Sequence, residues 1–143
     1  MPGDHVAESS VTVEAPPQRV WEVIMDPVAT EEFMFGAELA TDWSVGGPIT
    51  WRGSWEGKEY EDKGVVLEVE PGRKLVYTHF SPLAGAEDTP ENYHTLTWTL
   101  QAQGGRTILT LSQDNNATEE AAEHSKGMWD GLVADVKRLA ERS

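Results

Sequence analysis

The 143-residue chain contains no cysteine, and this absence excludes disulfides, thiol nucleophiles and thiolate metal sites together. It suits a reducing compartment, so a cytoplasmic location is expected. No stretch approaches the roughly 18 consecutive apolar residues of a membrane-spanning helix. The first residues, Met1-Pro2-Gly3-Asp4-His5, have neither the basic start nor the apolar core of a secretory signal. Basic residues are scarce as well: 11 Lys and Arg stand against 25 Asp and Glu, for a formal charge of −14. Such a surface repels phosphate backbones and anionic membranes, so neither nucleic acid nor a membrane is the expected partner. The length fits a single domain over residues 1–143, and a domain of that size buries roughly 68–70% of its unfolded surface, enough for a core without staples.

What the chain does have is alternation, followed by one long helical stripe. Glu8 to Glu14 places Val11 and Val13 on one side before Pro16-Pro17 ends the strand and prepares a helix start. Val20, Trp21 and Ile24 give that short helix an apolar face, and Asp26-Pro27 closes it. Thr30 caps a second short helix, Glu31 to Phe35, which Gly36 stops. From Leu39 to Gln113 alternating stretches are separated by turn residues. The strands expected there are Thr41–Val45, Ile49–Trp55, Tyr60–Glu70, Lys74–Phe80, a stretch around His94–Leu100, and Ile108–Gln113. The run Val65-Val66-Leu67 hides its phase because all three residues are apolar.

The closing segment, Asn116 to Ser143, organises the rest. Asn116-Ala117-Thr118-Glu119 carries a capping pattern that starts the helix at Asn116. Ala122, Ser125, Trp129, Leu132, Val133, Val136, Leu139 and Ala140 recur at offsets of three and four and form one apolar face. Gly127 and Gly131 break the rule, each costing about 1 kcal/mol against Ala in a helix interior. They are either tolerated surface residues or a close contact with another chain, which leaves a homodimer open. The expected class is α+β: a strongly curved antiparallel sheet wrapped around the long C-terminal helix, with two short helices after the first strand.

That order resembles the helix-grip fold of the START-like, or SRPBCC, superfamily, which includes the birch pollen allergen and aromatic polyketide cyclases. Thr41-Asp42-Trp43-Ser44-Val45-Gly46-Gly47-Pro48-Ile49-Thr50-Trp51 is similar to the strand, double-glycine turn and strand of the branch named after the activator of the 90-kDa heat-shock protein ATPase. Val66-Leu67-Glu68-Val69-Glu70-Pro71, Lys74-Leu75-Val76-Tyr77-Thr78 and the Trp129-bearing helix resemble its later blocks. The resemblance runs from about Ser9 to Leu139. It implies an internal cavity but no shared catalytic motif, so function has to be argued from site residues.

The residues expected to line that cavity are Trp51, Trp55, Tyr77, His79, His94, Trp98 and Gln113 from strands, with Phe33, Phe35, Met128 and Trp129 from helices. Any one ring among them is compatible with plain core packing. As a set, the polar members need hydrogen-bond partners, which a wet or ligand-filled cavity supplies more readily than packed hydrocarbon. The first reading is therefore a protein that binds an apolar or aromatic small molecule. An alternative is a cyclase- or hydrolase-type enzyme in which His79 or His94 acts as acid or base and Tyr77 orients or donates. A third is an interaction module of the co-chaperone kind, suggested by the branch name. No cofactor is called for, and the histidines lack the spacing of a metal site. The acidic group Glu56, Glu59, Glu61 and Asp62 reads as a solvated hairpin end.

Overall fold

Among the described residues, seven strands, most of them with alternating burial, and one amphipathic helical stripe make up the architecture. The computed structural model describes residues 5–26, 29, 38–55, 57–81, 87–89, 92–116 and 118–142. In chain order the elements are β1 (His5–Val13), α1 (Pro17–Met25), β2 (Glu38–Thr41), β3 (Pro48–Trp55), β4 (Lys58–Glu70), β5 (Lys74–His79), β6 (His94–Gln103), β7 (Arg106–Asn116) and α2 (Glu119–Glu141). The strands form one antiparallel sheet in the order β1-β7-β6-β5-β4-β3-β2. This is the α+β helix-grip arrangement, a curved sheet closed by a C-terminal helix. The first short helix stands where the sequence puts it. The second, Glu31 to Phe35, lies outside the described residues.

Period-two burial sets the register. In β6, Leu96, Trp98 and Leu100 are buried, and in β7 Leu109, Leu111 and Gln113 take the same face. Across the sheet Val66, Tyr77, Leu96, Gln113 and Ala7 form one row of partners. The ambiguous apolar run resolves here: Val66 is fully buried, whereas Val65 and Leu67 are 39% and 46% exposed. The β4–β5 register then shifts between Val66 and Glu68, and such a bulge bends the strand that carries it.

Helix α2 packs against β1, β7 and α1. Its buried residues are Ala122, Trp129, Leu132, Val133, Val136, Leu139 and Ala140, as the stripe predicts. Its last turn is tied down from α1. Arg19 donates to the carbonyls of Leu139, Ala140 and Arg142 at 3.1–3.3 Å, which satisfies groups that a helix end leaves without internal partners.

Two sequence expectations are corrected. The N-cap of α2 is Thr118, whose hydroxyl accepts from the Ala121 N–H at 3.0 Å. Asn116 instead ends β7 and is buried, donating to the His5 and Gln113 carbonyls and accepting from Ser125. The strand expected at Thr41–Val45 lies earlier, as β2, because side chains there capture the backbone. Thr41 Oγ1 accepts from Trp43 N–H and Asp42 Oδ1 from Ser44 N–H, while Trp43 takes a left-handed φ of 60°. Short polar side chains that bind nearby N–H groups compete with a sheet ladder in this way. The Ser44 N–H also holds the Asp42 carboxyl below its usual range.

Candidate functional site

The alternation that buries Ile49 and Trp51 on β3 and Val66 on β4 also turns Tyr60 and Asp62 of β4 and Tyr77 and His79 of β5 toward the same face. Trp51 is the register partner of Asp62. Its ring lies 5.0 Å from His79, edge to face, and 5.3 Å from Tyr77. His79 Nε2 and Asp62 Oδ2 are 2.9 Å apart. The two side chains are only 16% and 15% exposed. Where the carboxylate accepts, Nε2–H donates to it, and in a neutral imidazole that arrangement leaves Nδ1 as an acceptor. Nδ1 makes no hydrogen bond among the described residues.

The other oxygen of this carboxylate is exceptional. Asp62 Oδ1 is buried and has no hydrogen-bond partner among the described residues. Leaving such an acceptor unsatisfied costs about 1–3 kcal/mol, and more for a charged group. Tyr60 stands two residues away, its ring laid over Gly53: a Cβ at Gly53 would meet the phenol oxygen at 2.5 Å. Burial, and then the Asp62 charge, pushes the Tyr60 phenol up, so it stays neutral.

Two other inner-face polar groups have partners inside the protein. Tyr77 Oη accepts from Trp98 Nε1 at 2.9 Å, and Gln113 Oε1 accepts from Trp129 Nε1 at 2.6 Å. They hold indole N–H groups that burial would otherwise strand. Burial pushes the Tyr77 phenol up to about 12, against the opposing pull of the Trp98 hydrogen bond.

The candidate residues therefore divide. Trp51, Tyr77 and His79 come together around Asp62, and Trp98 joins through Tyr77. His94 is the cross-strand partner of His79, and its Nδ1 bonds to the Asp114 carbonyl at 2.9 Å. Gln113 and Trp129 form a separate pair between sheet and helix. Met128 does not join the set: it is 40% exposed. Phe33, Phe35 and the side chain of Trp55 lie outside the described residues.

The sequence reading missed Asp62 and Tyr60. Asp62 is not part of a solvated hairpin end, although Glu59 and Glu61 beside it are exposed. The signal was phase: counting back by twos from buried Val66 reaches Gly64, Asp62 and Tyr60. Tyr60 and Gly53 also line an open groove of about 690 Å³ with Glu38, Arg52, Ser54, Glu59 and Glu61. A groove of about 450 Å³ between Pro17, Arg73 and Leu100 holds none of the candidate residues.

This architecture has counterparts among solved structures. ChR145 from Cytophaga hutchinsonii is 40% identical over 99% of this chain and 97% of its own, with a TM-score of 0.86. Ara h 8.0201 shares the fold at 13% identity and a TM-score of 0.76, covering 97% of this chain and 99% of its own. The Aha1 dimer from Colwellia psychrerythraea does so at 15% identity and a TM-score of 0.73, covering 96% and 97%. No curated protein is similar enough in sequence to count as a match. The family described as Activator of Hsp90 ATPase homolog 1-like protein matches residues 14–141, nearly the whole chain. The chain belongs to that family.

Proposed function

We propose that the protein binds an apolar or aromatic small molecule on the concave face of its sheet, at the cluster of Trp51, Tyr77, His79 and Asp62. The observation that carries this reading is the buried, unpartnered Oδ1 of Asp62 beside three rings. Rings supply area with few rotors to freeze, and one or two fixed polar groups orient what lies against them. A thermal-shift screen of flat aromatic compounds tests the reading. A ligand at one hundred times its dissociation constant stabilises the fold by about 2.7 kcal/mol, and Trp51→Ala should remove the shift. If no compound shifts the melting temperature of the wild-type chain, the reading fails.

The Asp62–His79 bond also favours a second reading, acid–base chemistry, because a carboxylate that holds Nε2–H fixes the tautomer and leaves Nδ1 to take a proton. There the two readings part. His79→Gln weakens a binder by about 0.5–1.5 kcal/mol, but removes turnover by about 10²–10⁴-fold in an enzyme while leaving binding nearly intact.

A further inference from the structure

We propose that Asp62, with Trp51 and His79 beside it, recognises a cationic head group, a protonated amine carried on a flat aromatic ligand. This rests on the binding reading above and adds a charge to it. Buried carboxylates persist where they are paired. His79 satisfies Oδ2 of Asp62 and nothing among the described residues satisfies Oδ1. The neighbouring basic residues do not supply the missing donor. Arg52 and Lys63 follow Trp51 and Asp62 in sequence, so alternation turns them to the opposite face, where Arg52 pairs with Glu61 at 2.9 Å and Lys63 with Asp88.

The surroundings select the sign of the ligand. An ammonium offers N–H donors, one of which Oδ1 of Asp62 can accept. The faces of Trp51 and Tyr77 carry the negative end of an aromatic quadrupole, which attracts a cation. Tyr60 adds a neutral ring. A carboxylate or phosphate ligand would meet the Asp62 charge instead, and a chain of net charge −14 concentrates cations around itself.

Calorimetric titration of the full chain with three probes that share one ring system tests this: tryptamine, 3-methylindole and indole-3-acetate. The wild-type protein should bind tryptamine at least about tenfold more tightly than 3-methylindole, the factor that about 1.4 kcal/mol represents, and indole-3-acetate more weakly than either. In Asp62→Asn, tryptamine and 3-methylindole should come within about twofold while 3-methylindole keeps its wild-type affinity, the converse of a simple loss of the pocket. His79→Gln, whose amide can still donate to Asp62, should keep the preference for the amine. Equal binding of tryptamine and 3-methylindole by the wild-type chain overturns the charge assignment and leaves the binding reading intact. So does an amine preference that survives Asp62→Asn, since that pattern reflects overall charge. Failure of all three probes to bind overturns this proposal, while the binding reading is decided by the broader thermal-shift screen. Should Asp62→Asn not fold, the wild-type ranking in about 1 M salt decides, because the field of the overall charge is screened there over about 3 Å. A preference for tryptamine that persists then supports Asp62, and one that vanishes overturns the charge assignment.

Discussion

Trp129 donates its indole N–H to the side-chain oxygen of Gln113 at 2.6 Å, and this buried bond joins the middle of α2 to β7. Both residues are less than 7% exposed, so water cannot replace either partner. Gln113→Leu should cost about 1–3 kcal/mol by stranding the N–H, and Trp129→Ala about 3–5 kcal/mol through the cavity it leaves. Urea denaturation of Gln113→Leu, Trp129→Phe and the double variant should reveal a coupling of about 1 kcal/mol. Strict additivity would mean that the bond contributes nothing beyond packing.

Tyr77 ties stability to alkaline pH. Its folded phenol is pushed up to about 12 by burial, against about 10 for an unfolded tyrosine. Above pH 10 the unfolded chain loses this proton and the folded chain keeps it. The stabilisation is therefore complete below pH 10 and declines as pH rises toward 12, by about 2–3 kcal/mol in total. Urea melts of wild type and Tyr77→Phe between pH 8 and pH 11.5 check this through the difference in slope, which cancels the other groups that titrate there. Parallel curves for the two proteins would refute it.

Much of this fold was legible because period and burial agree. In β6 the alternation of Leu96, Trp98 and Leu100 with threonines survives intact, and the α2 stripe predicts its buried residues almost completely. The candidate site was legible in its rings and not in its charge. Asp62 sits among surface acids in sequence, and only its phase with Val66, across a glycine, separates it from them. Local side-chain chemistry hid the rest. Thr41 and Asp42 draw off the N–H groups a strand would have used, and Asn116, a good cap by residue type, is held by His5 from the far end of the chain.

Glycines at three positions should respond in opposite directions. A Cβ at Gly64 would lie 1.7 Å from the backbone oxygen of Thr78, so hydrogen alone lets β4 and β5 approach there. Gly64→Ala should destabilise by about 3 kcal/mol, the upper end of overpacking costs. Gly127 and Gly131 lie within α2 with nothing near a built Cβ. Ala at either position should stabilise by about 0.4–1 kcal/mol, mainly by restricting the unfolded chain. Melting temperatures of the three variants read this out. Destabilisation by Gly127→Ala or Gly131→Ala would point to close packing against a second copy, and a concentration-dependent melting temperature would then accompany it.

The start of α2 supplies a last contrast, between a residue that caps the helix and one that resembles a cap in sequence. Thr118 accepts one N–H, from Ala121, at an exposed position. Thr118→Ala should therefore cost about 1 kcal/mol, the usual value of an N-cap side chain. Asn116 is buried and links three elements, donating to His5 of β1 and to Gln113 within β7 and accepting from Ser125 of α2. Asn116→Ala removes two donated bonds and one accepted bond, and leaves two backbone carbonyls and a hydroxyl without that partner. Its cost should reach about 2–4 kcal/mol, a few times the net worth of one bond. Chemical denaturation of the two variants compares them directly. Equal costs, or a larger one at Thr118, would mean that the buried bonds of Asn116 contribute no more to stability than one exposed cap.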